Sequence, residues 1–401
     1  MNTRIRVALA FFALSWATYA QQENAPAFGK GLFNLVGQDS SWTMKIGARM
    51  QFLSIAEWTR NDDGSLVDPN ANFLIRRARL KFDGYAFSPK LEYKIELGLS
   101  NRDISGVSEF TRNTPRYIMD AVIKWNFYEN FVLWVGQTKL PGNIERVISS
   151  GNLQLVDRSL LNSRFNIDRD IGFQLRHHTQ LTDQVLLREI FAFSQGEGRN
   201  VTEGNLGGHE YTGRLELLPF GEFAKDGDYS GADLVREATP KLMLAATYDY
   251  NDNAVRTRSN QGSYMFTDTG FHQTPISTVF VDAMFKYHGF SFMAEYASRS
   301  ADEPVALNAD GTPTGDIVEV GDAINLQTGY VLKNDWELAG RYTHISPDSG
   351  ETGLIPQDQY TLGLSKYVVG HKLKVQTDFS YLDRDGNSNE LMWRLQVDLH
   401  F

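Results

Sequence analysis

Sixteen stretches of about ten residues alternate apolar and polar side chains, and the connections between them alternate long and short. The stretches are 43–57, 73–87, 91–100, 117–127, 131–139, 171–179, 186–195, 209–217, 241–251, 277–287, 290–298, 322–331, 335–344, 358–368, 371–382 and 390–401. Connections after odd-numbered stretches are long, as at 58–72, 101–116, 140–170 and 252–276. Those after even-numbered stretches are mostly short, as at Ser88-Pro89, His288-Gly289 and Val369-Gly370. Period-two alternation makes a strand with one greasy and one polar face. A soluble sandwich has no reason to alternate its loop lengths, whereas a bacterial membrane barrel has long outer loops and short periplasmic turns. The expectation is an all-β, transmembrane, antiparallel β-barrel of about 16 strands over 43–401. One connection breaks the rule. Segment 218–240 is long where a short turn is expected, as an enlarged periplasmic turn or a miscounted strand.

The closing stretch, Asn389–Phe401, alternates strictly and ends on an aromatic residue. A terminal aromatic on such a strand looks like the signal read by the outer-membrane barrel-assembly machinery. As the last strand it must pair with the first, near Thr43 to Glu57, because an open edge cannot survive in lipid. Leu391 through Phe401 then face lipid, and Arg394, Gln396, Asp398 and His400 face the lumen.

The other end carries the matching address. Arg4 and Arg6 precede an apolar stretch, Val7 to Ala17, and Thr18-Tyr19-Ala20 offers a cleavage triplet. Residues 1–20 read as a secretory signal peptide, and 21–42 as a periplasmic N-terminal segment. The chain has no cysteine, which removes disulfides and thiolate metal sites together. Aromatic residues reach 12%, which suits interfacial girdles. Losing Arg4 and Arg6 takes the formal charge from −10 to −12, which argues against a nucleic-acid partner.

Several segments resemble the phosphate-selective porin O/P family. Phe73-Leu-Ile-Arg-Arg-Ala-Arg-Leu-Lys-Phe-Asp-Gly84 looks like its second-strand hallmark, and Val135-Gly-Gln-Thr-Lys-Leu-Pro141 its "Gly-Gln-x-Lys-x-Pro" strand end. Arg169-Asp-Ile-Gly172, Phe193-Ser-Gln-Gly196, Tyr248-Asp-Tyr-Asn-Asp252 and Trp336-Glu-Leu-Ala-Gly-Arg-Tyr342 sit where family counterparts lie. The resemblance spans nearly the whole mature chain. It implies an outer-membrane barrel, usually a homotrimer, that passes small anionic or neutral solutes by passive diffusion and needs no cofactor.

An anion channel needs a lumen lined by Arg and Lys in place of the solute's water. With Leu74, Ala78, Leu80 and Phe82 toward lipid, parity turns Arg77, Arg79 and Lys81 inward and puts Arg76 on the lipid side. Arg49, Lys45, Lys94, Lys124 and Arg176 also fall inward. Lys139 ends its strand, and Arg146, Arg158, Arg164 and Arg169 lie in connection 140–170, which is expected to fold inward as a constriction loop with Leu153–Asn162 as a short helix. The pore-lining candidates are Arg49, Arg77, Arg79, Lys81, Lys139, Arg146, Arg158, Arg164 and Arg169. Against them, Glu210, Glu216, Asp249, Asp282, Glu295, Glu337 and Asp378 also read inward. At most a mild anion or phosphate preference follows.

Other chemistry has little support. His177 and His178 are adjacent, so on a strand they point to opposite faces. Asp383 to Glu390 is faintly like a calcium loop but reads better as a hairpin tip. His344 with Ser346, or His209 with Glu210, lacks a triad. No catalytic or metal site is expected. The competing reading is a plugged barrel serving as a structural subunit of a larger outer-membrane complex.

Overall fold

A computed structural model describes residues 26–61, 63–104, 107–203, 205–384 and 389–401. The signal-peptide reading of 1–20 lies outside the described residues, as does the tip of the 383–390 hairpin.

Sixteen antiparallel strands close into one barrel. In order they are β1 (Thr43–Arg60), β2 (Leu66–Ala86), β3 (Ser88–Gly98), β4 (Ile118–Tyr128), β5 (Phe131–Lys139), β6 (Arg169–Gln180), β7 (Leu186–Ser194) and β8 (Glu210–Leu218). They continue as β9 (Lys241–Ala254), β10 (Thr274–Tyr287), β11 (Phe290–Ala301), β12 (Gly321–Val331), β13 (Trp336–Pro347), β14 (Gln357–Val369), β15 (Leu373–Arg384) and β16 (Asn389–His400). Each corresponds to one of the sixteen stretches. β16 pairs with β1 from Arg49 opposite His400 to Arg60 opposite Asn389, which closes the barrel and leaves no edge there. Below the end of β16, Phe33–Val36 pairs with Thr43–Ile46 and continues the sheet.

Alternation sets the two faces. On β16, Leu395 and Val397 are exposed, whereas Arg394, Gln396 and Asp398 are buried inside. On β12, Ile324, Leu326 and Tyr330 are exposed, and Asn325 and Gln327 are buried. No described helix is long and apolar enough to cross a membrane; the strands supply the crossing.

Strand β2 departs from simple parity. Gln51 pairs with Arg77, but the next residue, Phe52, pairs with Ile75, so Arg76 is an extra residue in a β-bulge. Beyond the bulge the faces exchange. Phe73 is 89% exposed and Ile75 53%, so these two meet lipid. Leu74, expected on the lipid face, is only half-exposed and pairs with buried Leu53. Arg76 likewise leaves the lipid side and turns inward.

Among the described residues, segments 140–168 and 219–240 fill part of the lumen, and Ser259 and Asn260 of the β9–β10 connection reach the inward acids Glu210 and Asp249. Residues 140–168, between β5 and β6, carry helices α1 (Ile144–Val147) and α2 (Leu160–Phe165). Ser159 caps α2, its Oγ accepting from the Asn162 amide at 3.1 Å. The expected helix thus starts only at Leu160, because Leu153–Val156 gives its backbone groups to the wall instead. Leu161, Phe165 and Ile167 pack on Ala192, Phe280, Ala297, Ala323 and Ile345 of the inner wall. Ile144, Ile148 and Leu153 pack on Leu186, Leu218, Met243, Met284 and Met293. Each fully buried Leu or Ile is worth about 1.5–3 kcal/mol, so the segment is firmly seated on β7–β13. The second segment, 219–240, is an enlarged periplasmic connection that enters from below. Its Phe223 joins the second of these clusters, and its Gly231 amide donates to Asn152 O at 2.9 Å.

Candidate functional site: a basic cavity beside the infolded loop

Backbone inside a lumen must find partners, and the wall's charges supply them. Lys139 Nζ donates to Arg146 O at 2.7 Å and Ile148 O at 3.1 Å. Arg214 donates to Gly142 O at 2.9 Å, Arg341 to Asp157 O at 2.9 Å and Lys374 to Leu153 O at 2.8 Å. Lys286 does the same for segment 219–240, reaching Ser230 O and Ala232 O at 2.8 Å each. Carboxylates take the amides. Glu295 accepts from Glu145 N at 2.8 Å and Asp378 from Val156 N at 3.1 Å.

This use of the wall disposes of the later-strand acids. Glu210, Glu216, Asp249, Asp282, Glu295, Glu337 and Asp378 are all buried. Asp282 holds Arg214 at 2.8 and 2.9 Å, and Glu216 holds the same guanidinium at 2.7 Å. Asp378 holds Arg394 at 2.7 and 2.9 Å. Glu337 accepts from Tyr367 Oη at 2.5 Å and Gln154 Nε2 at 2.6 Å.

The free space lies on the other side, against β2–β6. A cavity of ≈ 570 Å³ is bounded by those strands, the infolded loop, and residues of β14 and β16. Among the described residues its lining carries twelve Arg or Lys and five Asp or Glu, an excess of seven positive charges. None of the seven later-strand carboxylates belongs to it. A chain of net charge −10 therefore encloses a strongly basic space.

Six candidates line this cavity: Arg77, Arg79, Lys139, Arg146, Arg158 and Arg169. Three do not. Arg49 is buried against Asp398 at 2.7 Å and Ser150 O at 3.0 Å. Lys81 pairs with Asp83 at 3.0 Å on the same strand, and Arg164 reaches Glu319 at 3.4 Å. Arg76, Lys94, Arg102, Arg176, Arg199 and Arg394 also line it. Parity already turned Lys94, Arg176 and Arg394 inward. Arg76 needed the bulge, and Arg102 and Arg199 sit in loops, where periodicity carries no information.

Many of these cations are already paired. Arg79 binds Asp103 and Glu96, with contacts of 2.7–2.8 Å. Arg169 and Lys94 share Asp120, at 2.9 and 2.5 Å. Arg146 pairs with Asp168. Others have no carboxylate. Arg158 donates to Glu145 O and Ile148 O at 2.8 Å each. Burial draws its guanidinium down to about 10, against the pull of Glu145 and Asp157, so it stays charged at neutral pH. Arg176 stacks on Trp134 at 3.9 Å; outside the lining, Lys124 sits 4.3 Å from the same ring and 3.9 Å from Glu92. Asp157 faces Arg76 at 2.9 Å and Arg77 at 3.5 Å. Burial opposes its ionisation, but Arg76 and Arg77 overcome this and hold it well below the usual carboxylate range. Such a lining carries net positive charge and hydrogen-bond donors, the chemistry that an anion would require. Among the described residues no group of His, Cys, Asp and Glu is arranged to hold a metal.

A closed sixteen-stranded barrel with a lipid-facing apolar belt and a polar, loop-narrowed interior is an outer-membrane porin. The family model described as "Phosphate-selective porin O and P" matches residues 54–397. The chain belongs to that family, and its place is the bacterial outer membrane. An uncharacterized protein of Aquifex aeolicus is 22% identical over 394 residues, covering 89% of this chain and 87% of its own length. Among solved structures, the anion-selective porin from Comamonas acidovorans is similar, with a TM-score of 0.53, 9% identity, and coverage of 90% of this chain and 100% of that one. The outer membrane channel DcaP of Acinetobacter baumannii gives 0.51, 13%, 92% and 99%. At these identities the likeness is one of fold.

Proposed function

We propose that this porin passes small hydrophilic solutes by passive diffusion and favours anions over cations, phosphate among them. The observation that carries the reading is the excess of seven positive charges around the cavity, in a chain that is acidic overall. The inward carboxylates of β8–β15 argued for at most a mild preference. Their burial, under the infolded loop for Asp282, Glu295, Glu337 and Asp378 and against Ser259, Asn260 or Tyr229 for Glu210, Asp249 and Glu216, supports a stronger one, because a field is set by the charges that reach the solute. In this reading residues 140–168 are the constriction. Assembly as a homotrimer and recognition of the strand ending in Phe401 belong to the same proposal. The name of the matched family and the anion selectivity stated for the Comamonas porin point the same way.

The test is the reversal potential of purified protein in a planar bilayer across a potassium chloride gradient, with liposome swelling in sugars and phosphate. Anion-side reversal and swelling support the proposal. Cation-side reversal overturns the preference, and a silent barrel supports the plugged, structural role instead.

A further inference from the structure

The β2 bulge places Arg76 and Arg77 side by side on the lumen, two guanidinium groups from consecutive residues of one strand. Ordinary alternation cannot do this. Opposite them stands a single carboxylate, that of Asp157, carried by the infolded loop and not by the wall. Arg76 donates from Nε and Nη2 to one oxygen, Oδ2, at 3.2 and 2.9 Å. The other oxygen takes the Arg158 amide at 3.0 Å and faces Arg77 at 3.5 Å. Arg77 is held besides by Gln51 at 2.6 Å, and its Nε is buried without a partner. Asp157 and Arg76 are each about a quarter exposed or slightly less, so both reach the cavity they line.

Asp157 differs from the other carboxylates of the cavity. Glu96 and Asp120 stand on wall strands, each within a few ångströms of wall cations whose positions the sheet sets, and Asp103, in the connection after β3, is held by Arg79 of β2 at 2.7 Å. Asp168 sits at the base of the loop, against Arg146. Asp157 alone reaches from the loop to the β2 bulge.

We infer that Asp157 is the residue that limits this pore's anion preference: it is a tethered counter-ion, occupying Arg76 and Arg77 in the position a passing anion would take. The inference rests on the anion-preferring reading of the cavity and assigns one residue the task of restraining it. A permeating anion must compete with a carboxylate that cannot diffuse away. An oxyanion offers several acceptor oxygens to the same donors, whereas chloride offers one centre, so the restraint weighs more heavily on chloride. Without Asp157 the excess of seven positive charges becomes eight, and both arginines lose the carboxylate that faces them.

The experiment is the reversal potential of refolded, heat-modifiable barrel in a potassium chloride gradient, for wild type, Asp157→Asn and Arg76→Gln. Asp157→Asn is expected to raise the anion-to-cation permeability ratio about twofold or more, and Arg76→Gln to lower it. Both variants cut the same contact between loop and wall. If freeing the loop were what matters, both would move conductance together and leave selectivity in place, and that result overturns the inference. An unchanged ratio in Asp157→Asn overturns it too. A wild-type pore that prefers cations, yet is shifted in opposite directions by the two variants, sinks the proposed preference and leaves the role of Asp157 standing. Should Asp157→Asn fail to refold, Arg76→Gln carries the test alone: an unlowered ratio overturns the inference.

Discussion

Lys374 on β15 places its Nζ 2.8 Å from the carbonyl oxygen of Leu153, in the loop that begins after β5. Both residues are buried. The same bond type recurs from Lys139, Arg214 and Arg341, so the loop is held by wall cations where a free-standing segment would need its own ladder. Lys374→Met should keep the volume and lose the bond. A buried carbonyl without a donor costs about 1–3 kcal/mol. The expected outcome is a lower urea midpoint for the refolded barrel and noisier single-channel current, with reversal potential unchanged because Lys374 does not line the cavity.

Arg394 binds Asp378 through two contacts, and Asp378 also accepts the Val156 amide. Arg394→Met leaves a buried carboxylate whose charge is no longer matched. Breaking one partner of a buried pair costs about 3–5 kcal/mol. Stability should fall by that order, and the double variant Arg394→Met/Asp378→Leu should recover part of it. A conductance change with no stability change would contradict this account.

The motif Gly136 is required by geometry. Its φ is +123°, and a β-carbon there would lie 2.2 Å from Ala121 O. Gly136→Ala therefore combines an unfavourable backbone region, about 1–3 kcal/mol, with a clash against a neighbouring strand. Reduced refolding yield is expected, measured as the heat-modifiable fraction on gels. Gly213 on β8, where a β-carbon would meet nothing within 4 Å, should tolerate alanine and serves as the control.

What was legible in the sequence follows from what is local. Each barrel strand has one lipid face and one lumen face, so all sixteen show a period of two. The Arg394 side of β16 could be assigned from that alone. The bulge at Arg76 could not, because an extra residue shows only when two strands are set side by side, as Gln51 and Phe52 are against Arg77 and Ile75. The acids of β8–β15 were correctly turned inward. That Asp282, Glu295, Glu337 and Asp378 lie beneath the loop depends on which wall Leu161, Phe165 and Ile148 choose, a long-range packing decision. Lys139, named from the motif as the end of its strand, lines the cavity, yet its amino group is bonded to three loop carbonyls.

Glu197, in the loop after β7, is a pH-sensitive point. Burial pushes its carboxyl up to about 7, although the Leu206 and Gly207 amides favour the charged form. A carboxyl raised in the folded state favours the protonated form. Its stabilising contribution is complete below the unfolded value, about 4.3, and is lost as pH rises through about 7. Proteolysis of loop 195–209 in the folded barrel should accelerate as pH rises from about 4.5 to about 7 and level off above that. Glu197→Gln should flatten the profile. A profile identical in both proteins would remove Glu197 from the account.

Segment 219–240 is a second restriction on the pore, separate from residues 140–168. It rises from the periplasmic side and is held by Lys286 at Ser230 O and Ala232 O, and by Asp233, which accepts the Gly289 amide at 2.7 Å. It touches the loop at Asn152 and through Phe223, and neither Arg76 nor Asp157 has its ion-pair partner in it. Only Arg236 and Lys225 bring positive charge within it, and neither lines the basic cavity. Replacing 221–238 by a short Gly-Ser turn, with Lys286→Met to avoid a stranded ammonium, should therefore widen the periplasmic exit. Conductance is expected to rise about 1.5-fold or more, while the anion-to-cation ratio keeps its wild-type value because the charged lining is intact. A changed ratio at unchanged conductance would mean that selectivity is set at the exit and not beside β2–β6.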